Sequence, residues 1–265
     1  MGMKEITMNK ILKCLLTTAA LVSLIMPWSS MAAEEPLLLE LANTNIKIST
    51  FYNGTTLEVT GSLPADAEVV LQVSGPRHDV HLKEKGKVAG FLWMNKTDVS
   101  LENTPAVYMV YTPEGSKEKF LNPELGVGYK ALVKDIAISP ESEDKAFIFG
   151  EYVKLMEKSG VYAINEGSVT YGEPNDGVKG FSVTLTIPSK MSAGDYTVEA
   201  IAVKDGAVFS RVVETLTLEF SGLPKMIASL AFGKPLMFGF MAVFIALATG
   251  LIIGVIFRGG GGGAH

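Results

Sequence analysis

The feature that most constrains this chain lies near its C-terminus. Pro235 to Phe257 reads PLMFGFMAVFIALATGLIIGVIF, a run of 23 residues without a charge. As a helix rising 1.5 Å per residue it would be about 34 Å long, enough to cross a hydrocarbon core of about 30 Å with some tilt. Residues 235–257 are therefore expected to be a transmembrane helix. Lys234 and Arg258 flank it, one on each side, so the positive-inside rule gives almost no orientation.

Orientation comes from the other end. Lys10 and Lys13 precede an uncharged stretch, Leu15 to Met26, which Pro27 breaks. That stretch is short of the roughly 20 residues a spanning helix needs. Ser30-Met31-Ala32 then offers small residues at the positions that define cleavage. A positive n-region, a short apolar core and a small-x-small site form the secretory pattern. Residues 1–32 are expected to be a signal peptide, cut after Ala32 or Ala33; an uncleaved anchor is the alternative. A translocated N-terminus makes the second apolar run a stop-transfer segment. The expected topology is single-pass in the cytoplasmic (inner) membrane, with residues 33–234 outside the cytoplasm and the tail, 258–265, inside.

Cys14, the only cysteine, falls in the N-terminal segment. The rest of the chain can form no disulfide, CxxC zinc site or CxxCH haem attachment. Removing residues 1–32 takes away three basic side chains and one acidic one, moving the net charge from −5 to −7. That balance gives no electrostatic case for nucleic acid.

One face of the apolar run is informative. Ala242, Ala246, Gly250 and Gly254 recur every four residues and end in a GxxxG. Small residues let two helix backbones approach closely, because lipid supplies no hydrophobic drive between helices. This face is expected to pack on another membrane helix, either its own copy in a homodimer or a partner's. Gly and Ala are common in membrane helices in any case. The juxtamembrane segment, 222–234, contains LPKMIASLAFG. With Pro224 in a first turn, it reads either as a short helix lying on the outer leaflet or as a plain linker.

Between the two apolar runs the chain is mostly β. Ile46, Ile48 and Phe51 open a strand that stops at Asn53-Gly54, and Thr56–Ser62, Glu68–Ser74, Val80–Lys83, Phe91–Met94 and Ala106–Thr112 are further short β-rich runs separated by turn residues, the pattern of a β-sandwich. Asn122-Pro123-Glu124 looks like a helix start, with Asn122 as cap. Lys145 to Ser159 is a better helix, with Phe149, Tyr152, Val153 and Met156 on one face and Gly160 ending it. Strand patterning returns in Phe181–Ile187, Thr197–Lys204 and Ala207–Phe220, the last two joined by Asp205-Gly206, a tight-hairpin dipeptide. Gly194-Asp195-Tyr196 resembles the tyrosine corner of immunoglobulin-like folds. The expected fold class is mainly β: immunoglobulin-like β-sandwich unit or units, a short helical segment and one C-terminal transmembrane helix. The expected division is a β unit over 34–114, a helical connection over 115–160 and a second β unit over 161–221. One continuous sandwich with a helical insertion is the other arrangement the pattern allows.

Chemistry is sparse. His78 and His81 lie in Gly75-Pro76-Arg77-His78-Asp79-Val80-His81. A metal site normally needs three or four ligands, and a three-residue offset on a strand puts two side chains on opposite faces. Arg77, His78, Asp79 and His81 remain the best candidates for holding a small ligand; no metal site and no cofactor is expected. GxSxG, the P-loop and a strand-linked GxGxxG are absent. Glu141, Glu143 and Asp144 read as a solvated helix entry, since EF-hand spacing is missing. Trp93, Tyr108 and Tyr111 read as core residues. No catalytic motif is recognisable, and the chain is expected not to be an enzyme.

A family resemblance joins these pieces. Val73-Ser74-Gly75-Pro76 precedes Lys85-Gly86-Lys87-Val88-Ala89-Gly90-Phe91-Leu92-Trp93-Met94-Asn95. Ser159-Gly160-Val161-Tyr162 follows a helix. Thr186-Ile187-Pro188 leads to Gly194-Asp195-Tyr196, and the last helix ends Gly254-Val255-Ile256-Phe257-Arg258. In order and spacing this resembles the Alph_Pro_TM family of bacterial transmembrane proteins, first described in alpha-proteobacteria, over about Ala42 to Arg258. The resemblance implies a cell-envelope protein with a secreted domain and one C-terminal helix. It assigns no activity and no catalytic residues. Members are often encoded near a sulfite-exporter-like permease of the TauE/SafE type, which implies an accessory role to an anion transporter. The expectation is a non-enzymatic accessory subunit of such a permease. An envelope module that binds a small anion or metal is the alternative, and an envelope enzyme is the third reading.

Overall fold

The computed structural model describes residues 37–88, 91–139 and 145–258. The expected signal peptide, the tail beyond Arg258, and Glu141, Glu143 and Asp144 lie outside these residues, and so does the side chain of Trp93. In chain order the first strands are β1 (Leu38–Leu41), β2 (Asn45–Ile48), β3 (Thr55–Pro64), β4 (Glu68–Ser74), β5 (Arg77–Val88), β6 (Leu92–Pro105) and β7 (Tyr108–Thr112). Two short helices, α1 (Lys117–Phe120) and α2 (Tyr129–Leu132), then lead to β8 (Ala137–Ser139) and α3 (Lys145–Ser159). The chain continues through β9 (Tyr162–Glu166), β10 (Val169–Tyr171), β11 (Val178–Ile187), β12 (Gly194–Lys204) and β13 (Ala207–Phe220), and ends in α4 (Leu223–Gly233) and α5 (Pro235–Arg258).

These strands form two large sheets and a smaller one. The first runs β1-β3-β11-β10 and is antiparallel throughout. The second runs β2-β13-β12-β4-β7-β9; its outer pairs, β2 with β13 and β7 with β9, are parallel. Parallel neighbours cannot be joined by a tight turn and need a crossover of about a dozen residues or more. The stretch between β7 and β9 is that crossover, and it carries α1, α2, β8 and α3. The third sheet is the long β5–β6 hairpin with β8 on its edge.

The division into two β units is corrected by this topology. Both large sheets draw strands from each expected unit: β3 pairs with β11 from Pro64↔Val178 to Thr55↔Ile187, and β4 pairs with β12 from Ser74↔Thr197 to Glu68↔Val203. The chain forms one interleaved β domain with a helical insertion. The physical reason is that alternation identifies a strand and its buried face but says nothing about which strand lies beside it.

Alternation does set the layers. Leu57 and Val59 of β3 and Phe181, Val183, Leu185 and Ile187 of β11 are buried on one face of the first sheet. Leu71 and Val73, Met109 and Tyr111, and Val198 and Ala200 are buried in the second, and all of these join one continuous core. The opposite face of the second sheet is covered by the helical insertion. There Tyr108 and Tyr162, register partners across β7 and β9, meet Tyr129 of α2 and Tyr152 of α3 with ring centroids about 6 Å apart.

Local signals account for most element ends. Asp205 and Gly206 both have positive φ, 52° and 81°, and join Lys204 to Ala207 as a two-residue hairpin loop. The Tyr196 hydroxyl donates to the Ser192 carbonyl four residues upstream at 2.9 Å, as in a tyrosine corner. The helix start expected at Asn122 is corrected. The Asn122 side chain does accept from the Glu124 N–H at 3.0 Å, but the segment turns rather than coils. Gly126 and Gly128, at φ 73° and 88°, lead the backbone away from helical geometry. The short strands expected at 80–83 and 91–94 are parts of the much longer β5 and β6.

Candidate functional site

The segment Arg77–His81 opens β5 at the point where the chain leaves the second sheet through Gly75-Pro76. A β-bulge interrupts the pairing there: His78 faces Thr104 but Val80 faces Leu101. The extra residue on β6 puts Asn103 at φ 63°, a left-handed conformation that asparagine tolerates better than most residues. Asp79 stabilises that turn, its carboxylate accepting from the Asn103 N–H at 3.0 Å. Arg77 donates to the Asn103 carbonyl at 3.1 Å and approaches the Asp135 carboxylate at 3.6 Å. The His78 carbonyl accepts from the Thr104 hydroxyl at 2.8 Å. His81 meets the Ser100 hydroxyl at 3.2 Å through Nδ1.

The structure thus ties Arg77, Asp79 and the His78 backbone to one bulge, while β5 runs on as a strand and sends His78 and His81 to opposite faces. Among the described residues no three or more His, Cys, Asp or Glu side chains are grouped to hold a metal ion.

Beside this bulge lies a cleft of about 160 Å³, bounded by Gln72, Arg77, Tyr108, Gly126, Lys134 and Asp135. Tyr108 is a core residue, as its sequence context indicates: its ring is buried, and its hydroxyl reaches the cleft wall. The hydroxyl donates to Gln72 Oε1 at 2.8 Å and accepts from the Gly128 N–H at 2.8 Å. Burial pushes the Tyr108 hydroxyl up to about 12, partly offset by the Gly128 bond. Burial also raises Tyr129, reinforced by the Glu157 carboxylate that its hydroxyl meets at 2.9 Å, and it raises Tyr162. These phenols hold their protons at neutral pH; Tyr108 links the second sheet to the insertion through the Gly128 N–H, Tyr129 links α2 to α3 through Glu157, and the Tyr162 hydroxyl donates to the Pro105 carbonyl at the end of β6 at 2.8 Å.

The second candidate is α5. It is helical from Pro235 to Arg258, an 18-residue stretch within Pro235–Phe257 has a mean hydropathy of 2.7, and none of that stretch is buried. Ala242, Ala246, Gly250 and Gly254 are all exposed, and a Cβ placed on Gly250 or Gly254 would meet open space. Steps of four residues drift by about 40° each, so the stripe winds over about a third of the helix circumference. A stripe of that pitch suits a neighbour crossing at an angle, as small-xxx-small pairs do.

A mainly β domain carried on one apolar helix of membrane-span length is the build of a membrane-anchored protein. The chain belongs to the family described as "Putative transmembrane protein (Alph_Pro_TM)", whose model matches residues 36–259. That match includes the β domain, α4 and α5. No curated protein matches the chain.

Proposed function

We propose that this protein is a non-enzymatic accessory subunit of an integral membrane permease of the anion-exporter type. In this reading its β domain stands outside the cytoplasm and α5 crosses the cytoplasmic membrane with Arg258 inside. The observation that carries it is the Ala242/Ala246/Gly250/Gly254 stripe, exposed on a helix that no other described residue covers. A simple anchor has no need of one small-residue face, whereas a docking helix does. Replacing Gly250 and Gly254 together with Leu should sharply reduce recovery of the permease with the tagged protein. Unchanged recovery would remove the support.

A second reading is favoured by the Arg77 cleft, where Arg77 and Lys134 border the same small space beside Gln72 and Tyr108, with the Asp135 carboxylate 3.6 Å from Arg77 as the one acidic group on its wall. That set suits a small oxyanion, since Arg guanidinium pairs well with anionic oxygens. Calorimetry on the full-length protein in detergent, titrated with sulfite and sulfate, tests it. Heat that disappears in Arg77→Ala supports anion binding, and no heat with either ion rejects it.

A further inference from the structure

The end of the β domain from which α4 leaves is unusually apolar. Strands β2 and β13 finish there side by side, with Ile48 opposite Phe220 and the Ser221 N–H donating to the Ile48 carbonyl at 2.9 Å. The β2–β3 turn therefore lies beside the start of α4. Tyr52 pins that turn: its hydroxyl donates to the Ile187 carbonyl at 3.3 Å, and its N–H bonds back to Ser49. Its neighbour Phe51 points outward and is 93% exposed. An open groove of about 430 Å³ runs between the strand ends and α4, lined by Thr50, Phe220, Leu223, Ile227, Ala231 and Phe232 among others. Phe232 is 89% exposed.

Charge is distributed to match. No acidic residue occurs from Ser221 to Phe257, and no charge of either sign from Ile48 to Leu57. Lys225 and Lys234 stand near the two ends of α4, and Lys234 is also the break at which α5 begins. An apolar surface bracketed by lysines and continuous with a membrane-length helix matches the lipid interface, where lysine stems lie along apolar matter and the ammonium groups meet phosphate.

We propose that this end of the β domain is seated in the lipid leaflet that α5 enters, with Phe51 and the α4 groove in contact with phospholipid acyl chains. The domain then has a second, noncovalent hold on the membrane, and its orientation above the bilayer is fixed rather than free. This goes beyond the accessory-subunit reading and does not depend on which protein α5 meets.

The test is site-directed spin labelling of the full-length protein in vesicles of phosphatidylethanolamine and phosphatidylglycerol. On a Cys14→Ser background, Phe51→Cys, Ile227→Cys, Val243→Cys and Asp205→Cys are each labelled with a nitroxide. Accessibility to oxygen is compared with accessibility to a soluble nickel chelate. Val243 lies within the α5 run, and Asp205 is in the β12–β13 turn. The expected result is an oxygen-to-nickel ratio at Phe51 and Ile227 several-fold above that at Asp205. A ratio at either position equal to that at Asp205, with Val243 in lipid, overturns the proposal and leaves membrane anchoring intact. An aqueous ratio at Val243 overturns both. Phe51 and Ile227 are exposed and sit on separate variants, so a folding defect in one leaves the other to decide.

Discussion

The backbone N–H of Thr186 in β11 donates to the hydroxyl of Tyr111 in β7 at 3.1 Å, which joins the two large sheets through their shared core. The same hydroxyl lies 3.4 Å from Met109 Sδ. Tyr111 is almost wholly buried, whereas Thr186 lies on an exposed position of β11 and the bond between them is partly buried. Tyr111→Phe keeps the ring and leaves the Thr186 donor unpaired. The expected loss is about 1 kcal/mol of unfolding free energy. Urea unfolding followed by circular dichroism checks this; an unchanged midpoint would mean that the bond does not hold the sheets together.

Gly61 shows how tightly the first sheet is packed. A Cβ there would come 2.2 Å from the Leu38 carbonyl and 2.4 Å from the Phe181 ring. Phe181 is the register partner of Gly61 across β3 and β11, and its ring fills the space a side chain would take. Gly61→Ala should therefore destabilise by about 1–3 kcal/mol through overpacking, against the usual gain from adding a methyl to a strand glycine. Thermal unfolding reads the sign directly, and a rise in Tm would contradict the packing.

The buried phenols make the domain sensitive to alkali. Tyr108 is raised from 10.0 to about 12, and Tyr129 and Tyr162 are raised as well. In the folded state these groups keep protons that the unfolded chain releases near pH 10. Their contribution is therefore complete below pH 10 and is lost as pH rises above 10, for Tyr108 through about 12. Stability as a function of pH should fall in that window, and tyrosinate absorbance should appear together with unfolding. Tyrosinate that forms near pH 10 with the fold intact would show that these hydroxyls are in water.

The bulge at Asp79 and Asn103 separates a structural role from a binding role. Asp79→Ala should cost about 1 kcal/mol by removing the acceptor for the Asn103 N–H. Asn103→Gly should cost less than Asp79→Ala, because glycine adopts φ 63° without strain and only the exposed Asn103 Nδ2 bond to the Asp135 carbonyl at 3.0 Å is lost. Parallel urea titrations of the two variants check the pair. A neutral Asp79→Ala would free this carboxylate from its structural role.

Much of the secondary structure was legible in the sequence, and the reasons are local. The α5 run, α4 with its leading proline, α3 with Gly160 after it, and the Asp205-Gly206 hairpin are all encoded within a few residues of one another. Strands β1, β8 and β10 went unread because three or four residues are too few to show a period, and β9 went unread because its Tyr162–Glu166 run has no apolar–polar alternation. The interleaved pairing was not legible either. Nothing in Thr55–Pro64 indicates that its partner begins more than a hundred residues later at Val178.

The same limit applies to the sites. The Ala242/Ala246/Gly250/Gly254 spacing could be read directly, and so could Arg77, His78, Asp79 and His81. That Arg77 shares a cleft with Tyr108 and Lys134 could not, since those residues come together only through the crossover. Phe51 was equally hidden: it reads as an apolar position of the strand opened by Ile46 and Ile48, but β2 ends at Ile48 and Phe51 falls in the turn that follows. Only the pinned Tyr52 shows that it faces outward.

The central claim is that α5 docks on a membrane partner, and one measurement tests it most directly. The tagged full-length protein is purified in a gentle detergent, and the proteins that accompany it are identified and quantified by mass spectrometry. The account predicts an integral membrane permease in stoichiometric amount. Recovery of the intact protein alone, or only as copies of itself, would contradict it.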